Sequence, residues 1–274
     1  MMLRRSLLLA TALLGGVARV AQPQTSDVSK MFISLFFGVV SGKDFWSIDG
    51  QRVGRLDAFL NEIAVDTMRI GRRTRPGFAI GVSGTLFKTP HLGISAEFSY
   101  QWLRTEDDCQ ITFLEPPSAM APSSTTDFNA SFCTSINQRS DIAANANVAV
   151  GLLYRIAPGG RTSPYFHVMA GITDRAGTSA DISGSFNRLD RPIVIAPGSA
   201  SITPTFGGAI GVTVPGSSGY NFRLEFRDQL YLRDIVQGPA DARANAPISK
   251  EWTHNFALLA GIDIVLEKTR GRRY

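Results

Sequence analysis

Residues 218–233 alternate between two kinds of side chain, and this alternation constrains the fold more than any other feature of the chain. Apolar and polar residues fall on opposite parities, and only Asp228 interrupts the apolar set. Successive side chains leave a β-strand on opposite sides, so a period of two indicates an extended strand. The apolar set is Tyr220, Phe222, Leu224, Phe226, Leu230 and Leu232, and the polar set is Asn221, Arg223, Glu225, Arg227, Gln229 and Arg233.

Seven further runs alternate in the same way, which gives eight predicted strands in all. With the opening stretch included, the eight runs fall at residues 33–39, 78–86, 92–102, 142–156, 165–173, 205–214, 218–233 and 252–267. Short connections rich in Pro and Gly alternate strictly with long ones. That arrangement is typical of an up-and-down barrel, with tight turns at one rim and long loops at the other. The predicted fold class is therefore all-β, a membrane-spanning antiparallel barrel of eight strands.

The first long connection, residues 41–76, is open to two interpretations. Leu56, Phe59, Leu60, Ile63 and Met68 show an overall spacing near three to four residues, which suits a short amphipathic helix. Residues 62–70 suit a strand equally well, and a hairpin here would raise the strand count to ten. In the third long connection, the apolar residues 193–195 suggest an extended strand at the rim.

The polarity of the strands favours lipid outside and polar side chains inside. A soluble barrel of the lipocalin kind would bury the apolar face around a ligand instead. Here the polar faces carry many small residues such as Gly93, Ser95 and Gly151, and the strands contain no lysine. Aromatic residues such as Trp102 and Trp252 lie near strand ends, where Tyr and Trp favour the membrane interface.

The two ends of the chain are read separately from the barrel. Residues 1–18 have a basic start and a short apolar core, which predicts an export signal cleaved after Ala18, or as late as Ala21. Outside the N-terminus there is no apolar run of about 18 residues, so no transmembrane helix is expected. The barrel is assigned to residues 31–268 and a basic tail to residues 269–274. The net charge of +5 is carried by scattered arginines, a distribution that argues against nucleic-acid binding.

Cys109 and Cys133 are the only cysteines, and both lie in the second long connection. An exported protein meets an oxidising compartment, so a disulfide between them is expected. Without an adjacent histidine they do not form a zinc site. We expect no metal and no cofactor.

The polar faces also predict a network of charges in the lumen. Arg223, Glu225 and Arg227 share one face of a strand, and we expect them to pair with Glu97 or Asp263 on other strands. The network could serve as a gate or as a structural plug, and the narrow lumen of an eight-stranded barrel favours the plug. The residues assigned to it are Glu97, Arg155, His167, Arg223, Glu225, Arg227 and Asp263.

The last predicted strand carries a family resemblance. Its end, residues 259–266 with the sequence LAGIDIVL, resembles the signal by which outer-membrane barrels are recognised for assembly. The chain resembles the small bacterial outer-membrane barrels of the outer membrane protein A and opacity-protein type. This resemblance implies an outer-membrane location, contact with outer-membrane lipid and with the barrel-assembly machinery, and long external loops that can bind a surface ligand. It implies no single function.

Three functions are compatible with such a barrel. The favoured one is a structural or surface-interaction role through the long loops, with a filled lumen and no enzymatic activity. The alternatives are a narrow channel or transporter for small solutes, and a lipid-modifying enzyme. An enzyme would need a nucleophile beside a lipid-facing histidine, and the neighbours of His254 are Thr253 and Asn255. His254 is therefore interpreted as an interfacial residue.

Overall fold

The structure, a computed structural model, consists almost entirely of antiparallel strands. It describes residues 28–56, 62–112, 124–175, 180–186, 189–196, 201–216, 219–241 and 244–269. The predicted signal peptide and residues 270–274 of the tail lie outside these residues. In chain order the elements are β1 Val28–Gly42, β2 Trp46–Leu56, β3 Glu62–Phe87, β4 Leu92–Thr112, α1 Ser124–Asn137, β5 Ser140–Arg155, β6 Ser163–Arg175, β7 Ala180–Phe186, β8 Leu189–Ala196, β9 Ser201–Pro215, β10 Tyr220–Val236 and β11 Ile248–Thr269. No helix in this part of the chain is long and apolar enough to cross a membrane.

Eight of the strands close into a ring. Around the ring the order is β1, β3, β4, β5, β6, β9, β10 and β11, and β1 pairs with both β3 and β11. All the pairings are antiparallel, and they confirm the predicted up-and-down barrel of eight strands. Closure leaves no free edge in the ring, which is the condition for a β-structure to lie in lipid.

The register of the pairs fixes the shape of this barrel. A path from each residue to its partner on the next strand leaves β1 at Ser41 and returns to it at Met31, ten residues away. The path runs through Ser41, Phe256, Asp228, Gly208, Val168, Leu152, Ile94, Leu86 and Met31. Strands with such an offset tilt by about 35–45°, and a ring of eight encloses a space just wide enough to be filled by side chains.

The barrel has the opposite polarity to a soluble protein. Its outer wall is apolar: Phe37, Phe78 and Val150 are 66%, 67% and 63% exposed. Its interior is polar and charged, and both Glu225 and Arg227 are 1% exposed. Water would penalise such an exterior strongly, whereas hydrocarbon favours it. The lipid-facing assignment made from the strand pattern therefore agrees with the structure.

The first long connection corrects one prediction. Residues 46–56 and 62–76 form strands, so the amphipathic helix suggested by Leu56, Ile63 and Met68 is wrong for the described residues. The hairpin does not raise the strand count of the ring to ten, because β2 continues the course of β1 along β3. Val40 pairs with Gly77, and Trp46 pairs with Arg72 further along the same strand. The hairpin thus makes the wall taller rather than wider.

A bulge reverses the faces of β3 where the tall part of the wall begins. Between the pairs Arg75–Arg104 and Phe78–Trp102, β3 contains one more residue than β4. Pro76 lies in this bulge, where its missing N–H costs no ladder hydrogen bond. Below the bulge the inward residues of β3 are mostly small or polar. Above it Met68 and Ile70 point inward and are fully buried.

The tall wall surrounds an apolar core at the long-loop end, and we call this part of the molecule the cap. Its core includes residues of β2, upper β3, α1 and the β7–β8 hairpin. Fully buried members are Ile48, Met68, Ile70, Ile136, Ile182 and Val194. The strand that the sequence suggested around residues 193–195 is β8, which pairs with β7. A disulfide joins Cys109 of β4 to Cys133 of α1, with the two Cα atoms 5.2 Å apart.

Gly77 at the bulge gives a direct test of this wall geometry. A Cβ atom at Gly77 would lie 1.6 Å from the backbone oxygen of Trp102, whereas one at Gly84 on the lipid side would meet nothing within 4 Å. Gly77→Ala should destabilise the protein by about 1–3 kcal/mol, since the backbone must shift. Gly84→Ala should be neutral or slightly stabilising.

Urea unfolding from lipid vesicles, followed by tryptophan fluorescence, measures both effects. Equal unfolding midpoints for the two variants would contradict the close approach of β3 and β4 at the bulge.

Candidate functional site in the barrel lumen

An arginine spans the lumen at mid-height. Arg227 on β10 reaches Glu97 on β4, and these two strands stand opposite each other in the ring. The guanidinium donates to both carboxylate oxygens of Glu97, with 2.8 Å between Nη2 and Oε2. Its Nε donates to Glu225 at 2.8 Å. Two carboxylates therefore hold one cation, and the fork that Arg227 makes with Glu97 is among the strongest forms of charge-assisted hydrogen bond.

A second arginine extends the network toward the short-turn end. Arg223 donates to Glu225 at 2.6 Å and to the hydroxyl oxygen of Tyr165 at 2.8 Å. The Tyr165 hydroxyl in turn donates to Glu225 at 2.6 Å. On the other side, Arg223 contacts Ser34 at 3.2 Å and lies 3.8 Å from Asp263. Strands β1, β6, β10 and β11 are thus connected through one guanidinium.

The small residues of the polar faces make room for these large side chains. A Cβ at Gly211 would lie 2.3 Å from the Tyr165 hydroxyl, and one at Gly151 would lie 2.8 Å from Nε2 of His167. A Cβ at Gly81 would lie 2.3 Å from the ring of Phe36. In this lumen glycine therefore provides space rather than a turn.

The predicted members of the network are held in different ways. Glu97, Arg223, Glu225, Arg227 and Asp263 come together as ion pairs, whereas His167 bonds through its ring to the hydroxyl of Ser95 at 2.7 Å.

Arg155 makes an aromatic contact at the short-turn end. Its guanidinium lies 3.6 Å from the ring centre of Phe87 and 5.2 Å from that of Phe32. Phe32, Phe87, Leu153 and Tyr165 form a buried apolar cluster at this end of the lumen.

Pairing compensates the burial of these charges. The network itself contains three cations, Arg155, Arg223 and Arg227, and three carboxylates, those of Glu97, Glu225 and Asp263. Their formal charges cancel when all six groups are ionised. A buried ion pair contributes little net stability, because desolvation offsets most of the attraction, but loss of one partner costs several kcal/mol. The main energetic consequence of the network is therefore that the loss of any one member is costly.

The long-loop end of the lumen is closed by the cap. Arg233 lies over the ring of Phe45, 4.0 Å from its centre, and donates to the backbone oxygen of Lys43 at 3.1 Å. Above it, Arg72 and Asp107 form a buried pair at 2.7 Å. Asn129 of α1 donates to the carboxylate of Asp66 at 2.8 Å. Polar contacts thus fasten the helix and the apolar core to the barrel wall.

A polar pair interrupts the apolar part of the outer wall. His254 on β11 contacts the carboxylate of Asp228 on β10, with Nδ1 2.9 Å from Oδ2. The His254 ring stacks on that of Phe256 at 5.9 Å. Both residues have lipid-facing parity on neighbouring predicted strands, so a search for outward polar residues on adjacent strands would have found the pair.

An apolar outer wall around a closed, charged interior defines the class: the fold is that of a small β-barrel of the outer-membrane type, with eight strands in the ring. No family model matches the chain, and no curated protein matches it.

Solved structures of bacterial surface and membrane proteins show a distant likeness. Neisserial surface protein A is 9% identical, with 87% of this chain and 99% of that chain covered and a TM-score of 0.40. The outer membrane protein OprG of Pseudomonas aeruginosa is 10% identical, with 90% and 99% covered and a TM-score of 0.41. A major outer membrane protein of Thermus thermophilus is 11% identical, with 84% and 99% covered and a TM-score of 0.34. The class therefore rests on the barrel geometry and not on these neighbours.

The Glu97–Arg227 pair predicts a large, testable difference between buried and exposed charges. Glu97→Gln leaves Arg227 with Glu225 alone and the buried network with one unmatched positive charge, and it should destabilise the protein by about 3–5 kcal/mol. Asp108→Asn removes the partner of Arg73 on the outer wall, an exposed pair at 2.7 Å, and should cost less than about 1 kcal/mol.

Urea unfolding from lipid vesicles is again the measurement. The double variant Glu97→Gln/Arg227→Gln should recover part of the loss, because the unpaired charge is gone. If Glu97→Gln behaved like Asp108→Asn, the buried network would not hold the lumen together.

Proposed function

We propose that this protein is an integral outer-membrane barrel with a non-conducting lumen, and that its cap carries a structural or surface-interaction function. The observation that supports this most directly is the side chain of Arg227, which crosses the lumen fully buried between Glu97 and Glu225. Apolar clusters lie beyond the network at both ends. An ion would have to displace paired charges and packed rings to pass.

The cap supports the second half of the proposal. Its buried core, its helix and its disulfide give it one preferred shape, and a rigid surface binds a partner without an ordering cost. In outer-membrane barrels the long loops face outward from the cell. We infer that the cap lies outside the cell and binds a surface ligand. We also infer an N-terminal export signal, cleaved on the way to the membrane, and insertion by the barrel-assembly machinery.

We propose no catalytic role for the His254–Asp228 pair. A carboxylate-oriented imidazole supplies a base and its orienting group, but a hydrolytic site also needs a nucleophile within reach. The outward residues on either side of His254 along β11 are Trp252 and Phe256. In the described part of the chain, no side chain other than that of Asp228 forms a hydrogen bond with His254.

Planar-bilayer recording tests the closed lumen. The purified, folded protein should give no steady single-channel current, because the charge network and the apolar clusters at both ends fill the lumen. Heat-modifiable electrophoretic mobility of the same sample shows that the barrel is folded. Steady currents from the unchanged protein would contradict the proposal and favour the narrow channel.

A further inference from the structure

A ladder of ion pairs climbs the outer wall just above the apolar belt. On β3 and β4, Arg73 lies 2.7 Å from Asp108 and Arg75 lies 2.7 Å from Glu106. By register, however, Arg73 stands opposite Glu106 and Arg75 stands opposite Arg104. Each arginine on β3 therefore leans one step toward the cap to reach a carboxylate. Because of this shift, Arg104 at the membrane end of the ladder has no carboxylate partner within the ladder.

Arg104 has an unusual position for a charged residue. It is exposed, and its cross-strand neighbour Arg75 carries the same charge. Directly opposed residues in an antiparallel pair have Cβ atoms about 4.5–5.5 Å apart, and like charges there are destabilising. Among the described residues, no carboxylate lies within ion-pair distance of Arg104. An anion from outside the chain would relieve this repulsion.

Three carboxylates on the same strand and on adjoining segments make hydrogen bonds to other groups. Glu106 accepts a hydrogen bond from Nε of Arg75 at 2.7 Å. Asp44 accepts from the backbone N–H of Thr74 at 2.8 Å, and Asp141 accepts from that of Ile142 at 2.7 Å.

The depth of Arg104 identifies the kind of anion. Two residues below it on the same face is Trp102, whose ring meets that of Tyr100 edge-on at 4.6 Å. Trp102 also stands opposite the exposed Phe78. Aromatic residues of this kind mark the border between hydrocarbon and headgroups. Arg104 is thus the first outward residue of β4 above the border, at the level where lipid phosphates lie.

Lys43 is a third basic residue at the level of Arg75 and Arg104. Lys43, between β1 and β2, is exposed, and its backbone oxygen accepts a hydrogen bond from the hydroxyl of Thr74 at 2.9 Å. Lys43 therefore lies beside Arg75, as Arg104 does on the other side.

We propose that Arg104, flanked by Arg75 and Lys43, binds the phosphate of an anionic membrane lipid at the outer-leaflet border. The proposal rests on the membrane location proposed above. Arg104 donates its guanidinium N–H groups to phosphate oxygens, a geometry that suits arginine particularly well. The bound lipid supplies the negative charge that the ladder lacks at its membrane end.

Tryptophan quenching by brominated lipids tests the site, because Trp102 is two residues from Arg104. The full chain carrying Trp252→Phe is folded into phosphatidylcholine vesicles that contain a minor fraction of brominated phosphatidylglycerol. Of the two tryptophans that remain, Trp46 is buried and Trp102 is exposed on the outer wall, so quenching reports how strongly the anionic lipid is preferred beside Trp102. Arg104→Gln should lower this preference by about fivefold, the effect of one basic residue near a charged surface. Arg52→Gln, which removes an exposed arginine on β2 in the cap, should leave it unchanged.

Three other results would contradict the site, the assignment to a lipid or the membrane location, respectively. An unchanged preference in Arg104→Gln, or an equal loss in Arg52→Gln, would overturn the site. Suppression by inorganic phosphate, but not by chloride at the same ionic strength, would overturn the lipid assignment in favour of free phosphate. Absence of quenching by brominated phosphatidylcholine in the parent protein would overturn the membrane location itself.

Discussion

The guanidinium of Arg227 connects β10 to β4 across the full width of the barrel, and the interior is arranged around this contact. It requires a lumen that one arginine can cross, which the ten-residue offset of an eight-stranded ring provides. Because the group has no access to water, its charge must be met by Glu97 and Glu225. Glu225 in turn holds Arg223, which connects β1, β6 and β11 to the same network. Large side chains in the lumen need space, and glycines on the facing strands provide it.

Strand β3 contacts two environments along its length, lipid below the bulge at Pro76 and the apolar core of the cap above it. Below the bulge β3 turns Phe78 and Ile80 outward to lipid. Above it the same strand turns Met68 and Ile70 inward to the cap. The one extra residue shifts the parity, so the wall can keep its hydrogen bonds while its apolar face changes sides. The outer wall above the bulge is then free to carry charges such as Arg73 and Arg75.

The sequence predicted the ring because the period of two and the alternation of short and long connections are local signals. It also named Glu97 and Asp263 as partners on other strands for the charged face of β10. The hairpin β2–β3 was harder to place, because periodicity shows that a strand exists but not which segment of its neighbour it pairs with. The cap depends on contacts between distant segments, such as that of Asn129 with Asp66, and no local pattern predicts these. The contact of Arg155 with Phe87 was not predicted either, because it depends on the register of β3, β4 and β5.

Two features of the outer wall, the Asp228–His254 pair and the position of Arg104, were not predicted from the strand pattern. Both depend on the register between neighbouring strands. In the sequence of β10 alone, Asp228 only interrupts an apolar face. Its contact with His254 becomes evident when the pairing of β10 with β11 is known. Arg104 is unremarkable within β4, and its surplus charge becomes visible only when Arg75 is known to stand opposite. Sequence periodicity gives each strand its two faces. Register decides which residues on those faces meet.

The apolar wall of the barrel faces lipid, and a nitroxide label at position 150 tests this orientation. Val150→Cys can be labelled selectively, because the two native cysteines are joined in a disulfide. In vesicles the label should be readily relaxed by oxygen and protected from a water-soluble nickel chelate. A label at Gln110→Cys, exposed on β4 above the belt, should show the reverse. Access of nickel to position 150 equal to that at position 110 would contradict the membrane barrel.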